Sequence, residues 1–300
     1  MANKIELTFL GTGSAVPTIK KNHVAMLLKY KDENILFDCG EGTQRQFRKA
    51  GLNPCRLTRL FISHWHGDHI LGIPGLLQTL ALNNYSGVLE IYGPSGTKQF
   101  MSKMLSLFVP RGEIKTNIHE ISNGKVLETN DFEIFAEHME HNTFCLAYRF
   151  VEKDKLRIDG KKLKKLKIGD SPLLKNLKLG KDIKINDKKI NYKSLTYLEK
   201  GKKLAFVLDT NANKNIDKIA KDADLFVCES TYLDEEELAK EYMHLTAVQA
   251  ANFAKRAKVK RLFLIHLSQR YDKYDDKILS VAKKIFKNSE LAHDLMRVEL

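Results

Sequence analysis

Seven residues, Ser63-His64-Trp65-His66-Gly67-Asp68-His69, constrain this chain more than any other stretch. They hold three of its 10 histidines beside an aspartate. Leu60-Phe61-Ile62 runs into them as an apolar strand end. Neutral imidazole and carboxylate are the ligands that suit zinc and similar divalent ions. His64 and His66 are two apart, so an extended backbone points both the same way. Asp68 and His69 then turn back from the start of the next helix. One ion can take the first pair and a neighbouring ion the second. Two ions a few ångströms apart can clamp the attacking and leaving oxygens of a displacement. The rival explanation is a polar loop with chance histidines, which so tight a spacing disfavours.

One loop cannot supply every ligand such a pair needs. In an α/β protein the rest come from other strand ends on the same edge. The strand from Phe132 leads to His138 and His141, Leu204–Leu208 stops at Asp209, and Arg261–Ile265 stops at His266. A lone histidine at a strand end is ordinarily structural; three such endings form a pattern. His138 and His141 compete for the same role.

The net charge of +13 is concentrated. Val151–Lys203 carries 18 Lys and Arg against seven Asp and Glu, a surplus of 11. A basic block of this kind is the footprint of a polyanion partner, with a solvated lysine-rich insertion as the bland alternative. Lys161-Lys162-Leu163-Lys164-Lys165-Leu166 suits a short amphipathic helix there, interrupted afterwards by Gly169, Pro172 and Gly180. The block reads as an arm inserted between two halves of the chain.

Those halves share a rhythm. Strands are expected at Lys4–Leu10, Val24–Lys29, Asn34–Asp38, Thr58–Ile62, Leu89–Tyr92, Phe132–Glu137 and Cys145–Phe150. The expected helices of this half are Thr43–Ala50, Ile70–Asn83 and Ser95–Leu107. The helix from Ile70 has Leu71, Pro74, Leu77, Leu80 and Ala81 as its apolar positions. After the arm come strands at Leu204–Asp209, Asp224–Glu229 and Arg261–His266. Helices follow at Asn215–Lys221, Asp234–Glu241, Thr246–Ala257 and Asp275–Phe286. Strand–helix alternation means sheets covered by helices. The hydrophobic fraction of 43% supports a sizeable core. No apolar run reaches the ~18–20 residues of a membrane span. Met1-Ala2-Asn3-Lys4 leads straight into a strand, with no room for a signal peptide. Cys39, Cys55, Cys145 and Cys228 have no paired spacing and read as core thiols of a cytoplasmic protein.

His64-x-His66-x-Asp68-His69 resembles the signature of the metallo-β-lactamase superfamily. Further stretches resemble the ribonuclease Z family within it. Phe9-Leu10-Gly11-Thr12-Gly13-Ser14-Ala15-Val16-Pro17 is similar to the family's first strand and turn, and Phe37-Asp38-Cys39-Gly40-Glu41-Gly42-Thr43-Gln44 to its second. Glu229-Ser230-Thr231 resembles its His-Glu-Ala-Thr motif, with Cys228 in place of the His. His244-Leu245-Thr246-Ala247 resembles its His-Ser-Thr-Ala motif. His266-Leu267-Ser268-Gln269-Arg270-Tyr271 is close to its His-x-Ser-x-Arg-Tyr. These matches run from Lys4 to Tyr271.

The resemblance implies an αββα sandwich over residues 1–300, two sheets with helices outside, and an inserted tRNA-binding arm (exosite) at 151–203. It implies two Zn2+ per subunit, with Mn2+ accepted by the same ligands. One ion would be held by His64, His66, His141 and Asp209, the other by Asp68, His69, Asp209 and His266, with Asp209 bridging. Asp68 would also accept the proton of the attacking water. Glu229 would orient His244, the acid for the leaving 3′-oxygen. Arg270 would grip a phosphate, and Lys161, Lys162, Lys164 and Lys165 would hold the tRNA.

The implied reaction is removal of 3′ trailers from precursor tRNA by cleavage after the discriminator nucleotide, leaving a 3′-hydroxyl, in a homodimer. Two rivals stand beside it: a small-molecule phosphodiesterase or lactonase of the same fold, and an RNA-binding protein with an inert metal site. Three departures bear on recognition of the substrate. Leu208 stands where the family has Gly before the bridging Asp. Lys21-Asn22 replaces Arg-Asn. Asp170-Ser171-Pro172-Leu173 is the nearest match to the arm's Gly-Pro motif.

Overall fold

The computed structural model describes residues 4–109, 112–166, 169, 171–185 and 188–300. Met1–Asn3 and Asp170, on which two of the readings above touch, lie outside them. The chain divides into two compact units. The larger contains residues up to Leu127, Ile134–Phe150 and Lys203 onward. The smaller contains Glu128–Glu133 and Val151–Lys202, which covers all but the last residue of the 151–203 stretch and adds a short upstream segment.

Fourteen strands of the described residues form two mixed sheets of seven. The first contains β1 (Ile5–Gly11), β2 (Ala25–Tyr30), β3 (Glu33–Phe37), β4 (Arg59–Phe61), β5 (Val88–Gly93) and β6 (Lys115–Glu120) in chain order. The second begins with β7 (Gly124–Glu128), β8 (Phe132–Met139) and β9 (Cys145–Glu152). The smaller unit has β10 (Lys155–Ile158), β11 (Ile183–Ile185), β12 (Lys188–Ile190) and β13 (Thr196–Glu199). The second sheet continues with β14 (Lys203–Val207), β15 (Leu225–Glu229), β16 (Leu262–Ile265) and β17 (Ser289–Leu291). Finally β18 (Arg297–Glu299) returns to the first sheet and pairs antiparallel with β1. Strands β14 to β17 run parallel. The buried strands β15 and β16 are continuous apolar runs, as strands covered on both faces must be. The three-residue strands β17 and β18 are too short to show alternation, and no sequence pattern announced them.

Aromatic rings join the two sheets. Phe37 of β3 stacks on Phe206 of β14 with centroids 4.2 Å apart. Phe61 of β4 meets Tyr148 of β9 edge-on at 5.2 Å. Outside the first sheet lie α1 (Thr43–Lys49), α2 (Gly67–Ile70), α3 (Ile73–Leu82) and α4 (Thr97–Ser106). Phe47, Leu76, Leu80 and Met101 pack there against Leu36, Leu60 and Ile91. Helices α5 (Gly160–Lys165), α6 (Leu174–Lys178) and α7 (Tyr192–Leu195) belong to the smaller unit. Outside the second sheet lie α8 (Lys214–Ala220), α10 (Ala247–Arg256) and α11 (Asp275–Ile285), with α9 (Glu236–Glu241) between them in the chain. Their Ile216, Ala250, Ala254 and Ile278 pack against Val207, Cys228 and Leu264. The layers are therefore helix, sheet, sheet, helix.

The single helix expected over Ile70–Asn83 is broken. Gly72 N–H donates to Cys39 O at 2.9 Å, and a Cβ at Gly72 would fall on the Gly40 carbonyl oxygen. The chain must kink at this close approach, and only glycine fits it. The break also re-phases the apolar face. Ile73, Leu76, Leu77 and Leu80 are buried, while Leu71 is exposed. Pro74 sits in the first turn of α3, where its missing N–H costs nothing.

The smaller unit has its own core of Leu174, Leu177, Ile183 and Leu195, flanked by Ile158, Leu163 and Tyr192. Strand β10 pairs with β13 and β11 with β12, both antiparallel. The amphipathic helix expected at Lys161–Leu166 corresponds to α5, capped by the Asp159 carboxylate, which accepts from Lys161 N–H and Lys162 N–H at 3.0 and 3.2 Å.

Candidate metal centre

Six strand ends converge on one site. Asp38 follows β3, Ser63–His69 follows β4, His141 follows β8 and Asp209 follows β14; Glu229 closes β15 and His266 follows β16. Three of these residues or their supports hold left-handed backbone despite having a Cβ: Asp38 (φ 53°), Met243 (φ 56°) and His266 (φ 63°). Such conformations cost about 1–3 kcal/mol each and persist where the surroundings fix them.

Two groups of side chains face inward, each with its ligand-type atoms within 4.8 Å of one another. In the first, His66 Nδ1 lies 3.0 Å from His64 Nε2 and 3.2 Å from His141 Nε2. Asp209 Oδ2 is 3.6 Å from His64 Nε2 and 3.8 Å from His141 Nε2. In the second, His266 Nε2 lies 3.3 Å from Asp68 Oδ2 and 3.1 Å from Asp209 Oδ1. His69 Nε2 is 3.4 Å from both carboxylates. Asp209 thus turns one oxygen to each group. The structure brings together all seven residues singled out in the sequence. His138 stays apart, its ring edge-on to Phe144 at 4.3 Å.

The donor set fits a divalent metal. Among the described residues, His69 Nε2 and Asp209 Oδ1 are fully buried and carry no hydrogen bond. Bare polar atoms of that kind cost about 1–3 kcal/mol each, and one cation between them satisfies both. The outer ring nitrogens are braced, as metal-ligating imidazoles require. His69 Nδ1 is 2.7 Å from Asp38 Oδ2, and His64 Nδ1 is 3.0 Å from Ser63 Oγ. Ser63 N–H and Oγ–H both donate to Asp38, each at 2.7 Å. His141 Nδ1 lies 3.1 Å from Met243 O.

Charge states follow from the surroundings. Burial pushes His64, His66 and His141 below the ordinary imidazole value, which favours the neutral, ligating form. Burial raises the Asp209 carboxyl, but His266, His69 and His244 outweigh it and hold it well below the usual range. Asp68 is likewise held far down by His69 and His266 against the opposing effect of its burial. Burial lowers His69, yet Asp209, Asp38 and Asp68 around it raise it well above the usual value.

Beside the second group stands the pair named for acid chemistry. Glu229 is fully buried and its Oε1 lies 3.1 Å from His244 Nδ1. Thr210 N–H donates to the same oxygen at 2.7 Å. Burial works to lower His244, but Glu229 and Asp209 carry it up to about 9. His244 is thus an imidazolium at neutral pH, oriented and able to give a proton. Arg270 is exposed, its guanidinium 5.5 Å from the Tyr232 ring centroid. Lys161, Lys162, Lys164 and Lys165 lie in the smaller unit. Lys161 and Lys164 line an open cleft of about 540 Å3 there with Tyr197.

The sequence reading gave no roles to Asp38, Ser63, Thr210 and Met243. Asp38 carried a signal, since it stands in one of the quoted motifs. Met243 acts through its carbonyl and left none. Cys228, which replaces a histidine of the quoted motif, is buried among helix-facing core residues, so the exchange is one of packing. Lys21, in place of arginine, is buried and ion-paired to Asp275 at 2.8 Å and Asp272 at 3.3 Å.

The family profile described as "Anti-Pycsar protein Apyc1" matches residues 5–148, a span that includes the His64–His69 loop and excludes Asp209 and His266. The fold is similar to the metallo-β-lactamase fold protein YhfI of Bacillus subtilis, with a TM-score of 0.72 at 19% identity over 99% of this chain and 100% of that one. It is similar also to the short form of human tRNase Z, again with a TM-score of 0.72, at 28% identity over 98% of both chains. In sequence the chain is 39% identical to the ribonuclease Z of Methanothermobacter thermautotrophicus, across 99% of this chain and 97% of the relative. A likeness of that extent, over a fold of metallo-β-lactamase type, places the chain in the ribonuclease Z family.

Proposed function

We propose that this protein is a metal-dependent endoribonuclease that removes 3′ trailers from precursor tRNA. The cut falls after the discriminator nucleotide and leaves a 3′-hydroxyl. One observation carries the reading: two four-residue ligand groups share Asp209, and a buried Glu229–His244 pair stands beside them. The likeness to proteins named ribonuclease Z and tRNase Z supplies the substrate class.

His64, His66, His141 and Asp209 would hold one Zn2+, and Asp68, His69, Asp209 and His266 a second; Mn2+ suits the same donors. Bound ions would supply charge neutralisation at the phosphate and a water acidified to near neutrality. Asp68, held ionised, would accept the proton of the attacking water. As the water oxygen bonds to phosphorus the bond between phosphorus and the 3′-oxygen breaks, its electron pair goes to the 3′-oxygen, and His244 would protonate it. Glu229 holds His244 in place and keeps it charged until that step. The phosphate leaves on the 5′ end of the trailer. Arg270, braced on Tyr232, offers two parallel N–H groups to a phosphate.

The smaller unit is read as the exosite. Its surplus of positive charge binds phosphates without reading sequence, and Lys161, Lys162, Lys164 and Lys165 contribute to it. Leu105, Leu107, Phe108 and Val109 are exposed beside a cleft of about 300 Å3 walled by Pro74, Leu77 and Ile114. Apolar surface of this kind supports a homodimer. No helix of the described residues is long and apolar enough to cross a membrane, and the reading places the protein in the cytoplasm.

The test is incubation of a precursor tRNA bearing a 3′ trailer with the wild type and with Asp68→Ala, followed by mapping of the 3′ end. A cut at the discriminator that the variant lacks supports the reading. Efficient hydrolysis of a cyclic nucleotide or lactone, with the precursor left intact, would put a small-molecule hydrolase in its place.

A further inference from the structure

Thr231 stands where the two halves of the site meet. Its hydroxyl donates to Glu229 Oε2 at 2.6 Å and lies 3.0 Å from His266 Nδ1. The other Glu229 oxygen takes Thr210 N–H and faces His244 Nδ1. Thr231 itself is buried, and its Oγ1 also lies 3.4 Å from His244 Nδ1.

The protons can be counted. A hydroxyl has one hydrogen, and the 2.6 Å contact to an ionised carboxylate commits it to Glu229. Thr231 Oγ1 then has only lone pairs to turn toward His266. At 3.0 Å His266 must be the donor, which puts its proton on Nδ1. Its Nε2 is the nitrogen that faces Asp68 at 3.3 Å and Asp209 at 3.1 Å, where a cation would sit. A histidine ligates a metal in that tautomer through that nitrogen. His69 gets the same service from the Asp38 carboxylate, and His141 from the Met243 carbonyl. For His266 no carboxylate or carbonyl is in reach of Nδ1 among the hydrogen bonds of the described residues; a threonine passes the demand on to Glu229.

We infer that Thr231 is a positioning residue that fixes the tautomer of His266 and, through Glu229, ties that ligand to the His244 acid. Glu229 therefore serves two histidines, one directly and one through a hydroxyl. The inference rests on the reading of His266 as a ligand.

The test has three parts. Nitrogen-15 spectra of the metal-free protein at pH 8 read the His266 tautomer directly. The wild type should carry its proton on Nδ1. Thr231→Val, which keeps the shape and removes the hydroxyl, should show a mixture of tautomers. In chelator competition it should bind its weaker Zn2+ about 10- to 100-fold less tightly. In turnover kcat should fall while KM holds, and Thr231→Ser should recover most of both losses. A wild-type His266 protonated on Nε2 alone overturns the inference whether or not the variants fold. So does a Thr231→Val protein with unchanged tautomer and Zn2+ affinity. His266→Ala separates the two layers: if it leaves Zn2+ content unchanged, the ligand assignment fails instead.

Discussion

Asp38 and His69 are joined at 2.7 Å across a fully buried interface, from a backbone that holds Asp38 at φ 53°. The carboxylate also gathers both donors of Ser63, whose oxygen braces His64. One aspartate outside both inward-facing groups thus supports a histidine of each. Asp38→Ala should lower Zn2+ affinity about 10- to 100-fold. Asp38→Asn should lower it less, since the amide oxygen still accepts from one partner. Competition against a fluorescent chelator measures both.

The Glu229–His244 pair makes a statement about pH. His244 is raised from its ordinary value near 6.5 to about 9, so its stabilising effect is complete below 6.5 and is lost as pH rises through 9. The metal-free protein should therefore lose melting temperature between pH 6.5 and 9. Glu229→Gln removes the charge that raises His244 and should flatten that slope. In the loaded enzyme the alkaline limb of kcat should move to lower pH in the same variant. Calorimetry across the range and a pH–rate profile check the two statements.

Asp154 Oδ2 and Lys200 Nζ lie 2.7 Å apart in the smaller unit, and Gly201 N–H donates to the same carboxylate at 2.9 Å. That closeness permits a clean excision of Lys155–Glu199, with a short Gly-Ser link in its place. Cleavage of precursor tRNA should fall about 100-fold, chiefly through KM, because phosphate contacts supply affinity. Hydrolysis of bis(p-nitrophenyl) phosphate should hold within about twofold. Equal loss on both substrates, with the fold intact by circular dichroism, would remove the exosite assignment.

Phe206 joins the two sheets through its stacking on Phe37. Phe206→Ala should cost about 3–5 kcal/mol by opening a cavity between them. Urea titration of the metal-free protein would show it as a lower midpoint at unchanged slope.

Much of this site was legible because metal chemistry limits the choice of residues. The His64–His69 loop, Asp209 and His266 each end an apolar strand, and strand ends survive errors of a residue or two in their limits. His141 was harder, since alternation alone does not separate it from His138; a family pattern chose between them. Supports were hidden for different reasons. Met243 works through a carbonyl that every residue has. The role of Thr231 depends on a rotamer and a proton count. In the fold, the break at Gly72 was missed because a lone glycine inside a helical pattern is usually tolerated, and here a carbonyl from another segment crosses at that point. Strands β17 and β18 are defined by the neighbours they pair with, and three residues cannot carry a period.

The inward-facing residues are spread along the chain from His64 to His266, and their braces begin at Asp38. Neither four-residue group lies on one sheet: each takes two residues from the loop after β4 of the first sheet and two from strand ends of the second. Ion capture therefore rewards only the finished topology, and long-range strand pairing of this kind forms slowly. A divalent ion bound there would act as an inspector of assembly, adding stability only to chains that have closed both sheets.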